Sequence, residues 1–229
     1  MTPKLIEASS VSDALAQGIR HLLSDEGKFH VEESRNGKVH VWDGPVLIHS
    51  RQPMRRVLFS PMRNANPFFH LFESLWMLGG RNDLAWVAQF NKQMKVYSDD
   101  GGDTQPAAYG HRWRSHFGHD QLDAIVEELK VNPGSRRCVL GMWDPWFIHT
   151  YGDGADKVHH FGDLEKASQG SADVPCNTQC FFTLRDGKLH MTVTCRSNDA
   201  LWGAHGANAV HFSILLEYMA ARLGVAVGD

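Results

Sequence analysis

The stretch FFTLRDGKLHMTVTCRSND, residues 181 to 199, restricts the architecture more than any other feature of the chain. Two apolar runs flank Asp186-Gly187, a pair that tolerates the positive φ angles of a tight turn, so the segment reads as an antiparallel hairpin. Cys176 precedes its first strand and the residues from Cys195 to Asp199 close its second, which brings both ends to one side. A hairpin alone is marginal in water and needs other elements to cover a face.

Helical periodicity supplies those elements. Residues 11 to 24 place Val11, Leu15, Ile19 and Leu22 or Leu23 on one face, with Ser10 or Ser12 as the cap. Residues 67 to 80 form an apolar, aromatic helix that starts near Pro67, ends at two glycines and carries one acid, Glu73. Further helices are expected over 121 to 129 and 207 to 223. Residues 34 to 38 form a turn holding Arg35, followed by the alternating strand KVHVWDG. DDGGDTQP, residues 99 to 106, must be a loop, and AAYGHRWR after it offers Tyr109 and Arg112 to a site. In NPGSRRCVLGMW a turn leads into a strand, where Arg136 and Arg137 would point to opposite sides. Residues 150 to 174 show no regular period and read as a long loop of functional or interface use. Neither repeats nor a linker interrupt the chain, so it is expected to be one α+β domain over residues 1 to 229.

The chain's 229 residues, 42% of them hydrophobic, suit a single substantial core. A net charge of -3 gives no broad positive field for a nucleic acid backbone, so direct DNA binding is not expected and an anionic ligand needs a local arginine cluster. Without a membrane-length apolar run or a signal-like N-terminus, the expected compartment is the cytoplasm. The four cysteines form no CxxC pair; Cys176 and Cys180 lie four apart but complete no zinc pattern, and no metal site is expected.

Cys176 in a Pro-Cys-Asn context is compatible with either packing or nucleophilic chemistry. Arg196 and Ser197, at the opposite hairpin end, favour the second: a guanidinium near a thiol favours its thiolate, and both groups can hold a phosphate. Glu73 either reaches solvent at a helix rim or enters a site where burial equips it to hold or shuttle a proton.

The motifs SRNG, PFFHLFESLW, AAYGHRWR, PGSRR, VPCN, CRSND and ANAVHF, in this order from about Phe29 onward, resemble those of the thymidylate synthase family and its pyrimidine nucleotide hydroxymethylase branch. The resemblance implies a three-layer α+β fold with a large twisted mixed sheet, helices against one face and a homodimer interface on the other. It implies that Cys176 adds to carbon 6 of a pyrimidine deoxynucleoside monophosphate, activating carbon 5 toward the one-carbon unit of 5,10-methylenetetrahydrofolate. Arg35, Arg196 and Ser197 become phosphate ligands, joined by Arg136 and Arg137 from a partner subunit. Glu73 resembles the family's proton-relaying glutamate, Tyr109 the tyrosine beside the thiol and Asp199 the pterin-orienting aspartate. Trp76 is similar to a packing or folate-facing aromatic.

Asn208 matches the family's base selector: a carboxamide donates to O4 and accepts from N3-H of uracil, whereas cytosine reverses both needs. One extra residue stands between Gly203 and Asn208 relative to the usual spacing, which leaves His205 as the alternative selector. Asn177 replaces the histidine that usually follows the nucleophile, and Asn91 replaces a sheltering tryptophan. A polar Asn91 would admit water to a methylene intermediate, yielding hydroxymethyl instead of methyl. The resulting expectation is hydroxymethylation of dUMP. Thymidylate synthesis, cytidylate hydroxymethylation and a non-catalytic nucleotide- or RNA-binding homodimer are the alternatives. The family's C-terminal strand and tail are expected to be missing after Asp229.

Overall fold

The computed structural model describes residues 3–24, 29–34, 37–61, 63–144, 147–151, 156–160 and 162–229. In chain order the first elements are β1 (Lys4–Ala8), α1 (Val11–Leu23), β2 (Phe29–Ser34), β3 (Gly37–Trp42), β4 (Val46–Ser50), α2 (Pro67–Leu78) and α3 (Leu84–Val87). A 3-10 turn, Lys92–Tyr97, precedes α4 (Tyr109–Arg114), α5 (Gln121–Val131), β5 (Val139–Gly141), β6 (Phe147–Tyr151), β7 (Asp156–His160) and α6 (Asp163–Ser168). The chain then forms β8 (Asn177–Arg185), β9 (Lys188–Cys195), a π-helical turn (Ala200–Ala204), α7 (Ala207–Leu223) and β10 (Ala226–Val227).

The central sheet is mixed, in the order β10-β9-β8-β5, with antiparallel pairs except for β10 beside β9. Its longest pair is the expected hairpin, and the turn adopts positive φ at both Asp186 and Gly187. The core lies between this sheet and α2, α5 and α7, where Trp76, Leu122, Leu140, Phe182, Leu189 and Leu215 are almost fully buried. Local chemistry starts α1 and α2: the Ser10 hydroxyl accepts from Asp13 N at 3.1 Å, and Asn66 with Pro67 behind it accepts from Phe69 N at 3.0 Å.

Three expectations need correction. Residues 150 to 174 are not one long loop, because β6 pairs antiparallel with β7 and α6 follows. That ribbon hydrogen-bonds to no other described strand, so no larger sheet imposes an alternating pattern on its sequence. Arg136 and Arg137 do not alternate between inside and outside; both are exposed. Their backbone is still turning, with Arg137 N on Ser135 Oγ and Val139 N on Arg137 O, and the strand's two-residue period starts only at Val139. Arg112 is not available to a site. It is 0% exposed, and its guanidinium makes a two-pronged ion pair with buried Asp163 at 2.6 and 2.7 Å while also donating to Met142 O. No described helix is long and apolar enough to cross a membrane.

Candidate functional site

The hairpin brings its two ends together, as Arg196 N donates to Cys176 O at 2.9 Å. Immediately after Cys176 the ladder slips between Asn177 and Gln179, a bulge that breaks the alternation of faces. Cys176 is left half-buried on a cavity wall, and Asn177 is turned fully into the sheet. The Asn177 amide donates to Thr194 O at 2.8 Å and to Gln179 O, so its carboxamide is spent on strand backbone and does not line the cavity. Pro175 O accepts from both Trp143 Nε1 and Arg196 Nε, which braces the residue before the thiol.

Burial pushes the other three thiols up: Cys138, Cys180, and Cys195, the last to about 11. Cys176 is thus the one cysteine that lines the cavity; Cys138 and Cys180 are buried, and Cys195, half-buried, is not among the lining residues. Tyr109, first residue of α4, lines the same space, and its hydroxyl accepts from Asn177 N at 3.3 Å. Desolvation, reinforced by the neighbouring Cys176, holds its phenol above the ordinary range, in the protonated form that can donate.

The cavity, about 210 Å³, is lined by side chains of two chemical kinds. Trp76, Met77, Met94 and Tyr97 supply apolar and aromatic surface, and Glu73, Asn208, His211 and Asp173 supply polar groups around Cys176. A flat heterocycle with a few polar edge atoms suits such a lining. Glu73 on α2 is buried and its Oε2 stands 2.9 Å from Nε2 of buried His211 on α7, too bent for an aligned hydrogen bond. His70, one turn before Glu73, meets His211 edge to face, and burial first, then His211, lowers its imidazole to about 4. Burial raises Asp173, another lining residue, to about 6 even though its carboxylate accepts from Ala107 N at 2.8 Å. His211, His70 and Asp173 carry no signal of a site in the sequence. A histidine in ANAVHF read as part of an apolar helix, and the approach of α2 to α7 is what makes it a site residue.

Asn208 reaches the cavity despite the extra residue before it. The π-helical turn carries bonds from Ala204 N to Asp199 O and His205 N to Ala200 O, five residues apart, and a wide turn of this kind absorbs an insertion without shifting the following helix. Asn208 Nδ2 donates to Asn198 Oδ1 at 3.0 Å. His205 faces away, packed against Gly18 of α1.

Other expected residues sit at the rim or apart. Arg196 is exposed and donates to Val174 O and Pro175 O, beside the thiol; Ser197 is exposed on the same end. Asp199 caps the π-helical turn, accepting from Leu201 N and Trp202 N. Trp76 lines the cavity with its ring, its indole N–H being given to Asp83 O at 2.8 Å. Asn91 caps the 3-10 turn through Gln93 N and contributes no wall; Met94 and Tyr97 of that segment do. Arg136 and Arg137 are not among the cavity's lining residues, and Arg35 lies outside the described residues.

Residues 62–229 match the family model described as thymidylate synthase. Over 98% of its length the chain is 49% identical to a deoxyuridylate hydroxymethyltransferase of Pseudomonas phage M6, covering 58% of that protein. It is 39% identical over 81% of its length to one of Bacillus phage SP01, covering 46%. The chain thus spans about half the length of these two relatives. Among solved structures, T4 phage thymidylate synthase shares the fold, with a TM-score of 0.54 at 19% identity over 70% of this chain and 54% of that one. Thermostable thymidylate synthase A from Bacillus subtilis matches with a TM-score of 0.51 at 26% identity, over 70% and 52%.

Proposed function

Because this chain belongs to the thymidylate synthase family, we propose that it hydroxymethylates carbon 5 of dUMP through a covalent bond to Cys176. The observation that carries the proposal is the single cavity onto which Cys176, Glu73, Tyr109 and Asn208 open together. The likeness to two phage deoxyuridylate hydroxymethyltransferases supports this branch over methylation.

In this reading the Cys176 thiolate bonds to carbon 6 of the pyrimidine, and Tyr109's hydroxyl, fixed by Asn177 N, positions the sulfur and nearby water. Asn208 is held by Asn198 and reads O4 and N3-H of uracil with its remaining donor and acceptor. Glu73 holds and moves protons at the far edge of the ring. Arg196 and Ser197 receive the phosphate at the open rim, Arg196 leaving its backbone carbonyls to do so. Arg35 and, from a second subunit of a homodimer, the exposed Arg136 and Arg137 complete that site.

When bound, 5,10-methylenetetrahydrofolate supplies the one-carbon unit. The aromatic rings of Trp76 and Tyr97 and the thioether of Met94, all lining the cavity, suit a flat pterin, with Asp199 available through the carboxylate oxygen not used in capping. Asn177, locked into the sheet, serves to hold Tyr109 and the strand ends in place rather than to touch substrate. Asn91 caps a turn away from the cavity, so water reaches the methylene beside the polar side chains that line it, Glu73 and His211 among them. Incubation of the longest natural form with dUMP or dCMP and the folate, followed by product mass, tests the proposal. Hydroxymethyl-dUMP, lost in Cys176→Ser, is the expected result, whereas thymidylate or a dCMP-only product would overturn it.

A further inference from the structure

Glu73 is buried at a cavity that the apolar side chains of Trp76, Met77 and Met94 also line, and a buried ionised carboxylate without a partner is costly. Among the described residues, the group that comes within ion-pair distance of it is His211, and both side chains are at least nine-tenths buried. Neither Glu73 Oε2 nor either ring nitrogen of His211 makes an aligned hydrogen bond. Buried polar atoms left in this state mark a site that tightens when a ligand or water enters.

We propose that His211 is a positioning residue for Glu73, donating from Nε2 to Oε2 so that Oε1 is presented to the water that attacks the nucleotide adduct. The inference rests on the hydroxymethylation reading and gives that reading its proton acceptor. Two features of the fold support it. His211 stands one helical turn after Asn208 on α7, so the residue that reads the base and the one that orients the acid are carried by the same rigid helix. His70 backs His211 from α2 and is kept neutral by burial, so it adds no second charge to the pair.

The step balances without an oxidant. In the Cys176 adduct, after the one-carbon unit has been transferred, carbon 5 bears a methylene group conjugated to the C4 carbonyl. Water oxygen bonds to the methylene carbon, and the electron pair of that double bond moves through C5–C4 onto O4. One water proton passes to Glu73, whose carboxylate is held in line by the His211 N–H. Collapse of the enolate re-forms C4=O, creates the C5=C6 bond and breaks the C6–S bond, and the departing thiolate can take the proton from Glu73.

His211→Phe keeps a ring but removes the donor, and His211→Gln restores a side-chain N–H. With dUMP tritiated at carbon 5, tritium release reports the steps before water addition, and hydroxymethyl-dUMP formed per tritium released reports water addition itself. The ratio should fall by about 100-fold in His211→Phe and recover substantially in His211→Gln, with dUMP affinity unchanged in both. In the ligand-free protein, 15N spectra of the imidazole should show His211 protonated at Nε2, with that signal displaced in Glu73→Gln. A wild-type ratio in His211→Phe, equal loss of tritium release and product, or a His211 protonated only at Nδ1 would each overturn the inference while leaving hydroxymethylation intact. Wild-type protein that forms thymidylate would overturn the hydroxymethylation reading and this inference together.

Discussion

Replacing Arg112 by methionine removes one half of a fully buried ion pair and should be the most damaging single change outside the cavity. In the native protein the guanidinium makes two short bonds to Asp163 and one to Met142 O, with a longer one to Pro106 O. Methionine fills much of the volume but satisfies none of those acceptors, and among the described residues the Asp163 carboxylate keeps the Asp144 N–H at 2.8 Å. Breaking a buried pair from one side costs about 3–5 kcal/mol, because the remaining charge stays desolvated. Total stability of a domain is only about 5–15 kcal/mol. For a chain of this size the same loss corresponds to a melting point lower by about 6–20 °C.

Urea unfolding of wild type, Arg112→Met, Asp163→Leu and the double variant would close a thermodynamic cycle. The double variant should regain most of the loss, since removing both charges removes the desolvation cost as well. Activity should fall along with stability in Arg112→Met, because Arg112 anchors the helix that starts with Tyr109, one turn earlier. A loss below about 1 kcal/mol in Arg112→Met, the range of exposed pairs, would refute the argument. So would a double variant no more stable than the single one.

Gly203→Ala should weaken dUMP binding more than it weakens folding, because an added Cβ would lie 2.3 Å from Asn198 Oδ1, the atom that holds Asn208; calorimetric titration against thermal unfolding separates the two effects. Asp173→Asn should flatten the pH dependence of stability. Burial raises the native carboxyl from 3.8 to about 6, so the unfolded chain ionises first and wild-type stability drops as pH rises from 4 through 6. The drop should reach about 2 kcal/mol after allowance for partial exposure, and urea midpoints at pH 4.5 and 7.5 in the two proteins would measure it. Thiol labelling of the native protein should modify Cys176 well before Cys138, Cys180 or Cys195, whose thiols are pushed up by burial; peptide mass mapping would identify the site, and equal labelling of Cys195 would contradict the assignment.

The sequence alone determined much of the local structure and the motif order that identifies the family. Asp186-Gly187 specified its turn because few residue pairs tolerate positive φ twice in succession. Ser10 and Pro67 marked helix starts because unpaired N–H groups there need a nearby acceptor or no donor at all. Cys176, Tyr109, Glu73 and Asn208 were named from motifs, and the fold brings all four to one cavity. What the sequence could not convey was which way a side chain turns once strands and helices meet. A one-residue slip after Cys176 sent Asn177 into the sheet, since face alternation along a strand is lost at a bulge. Arg112 looked like a ligand group because its partner, Asp163, lies 51 residues away in a segment without periodicity. His211 gained a role only through the packing of α7 against α2, for helical spacing tells which residues share a face but not what that face will meet.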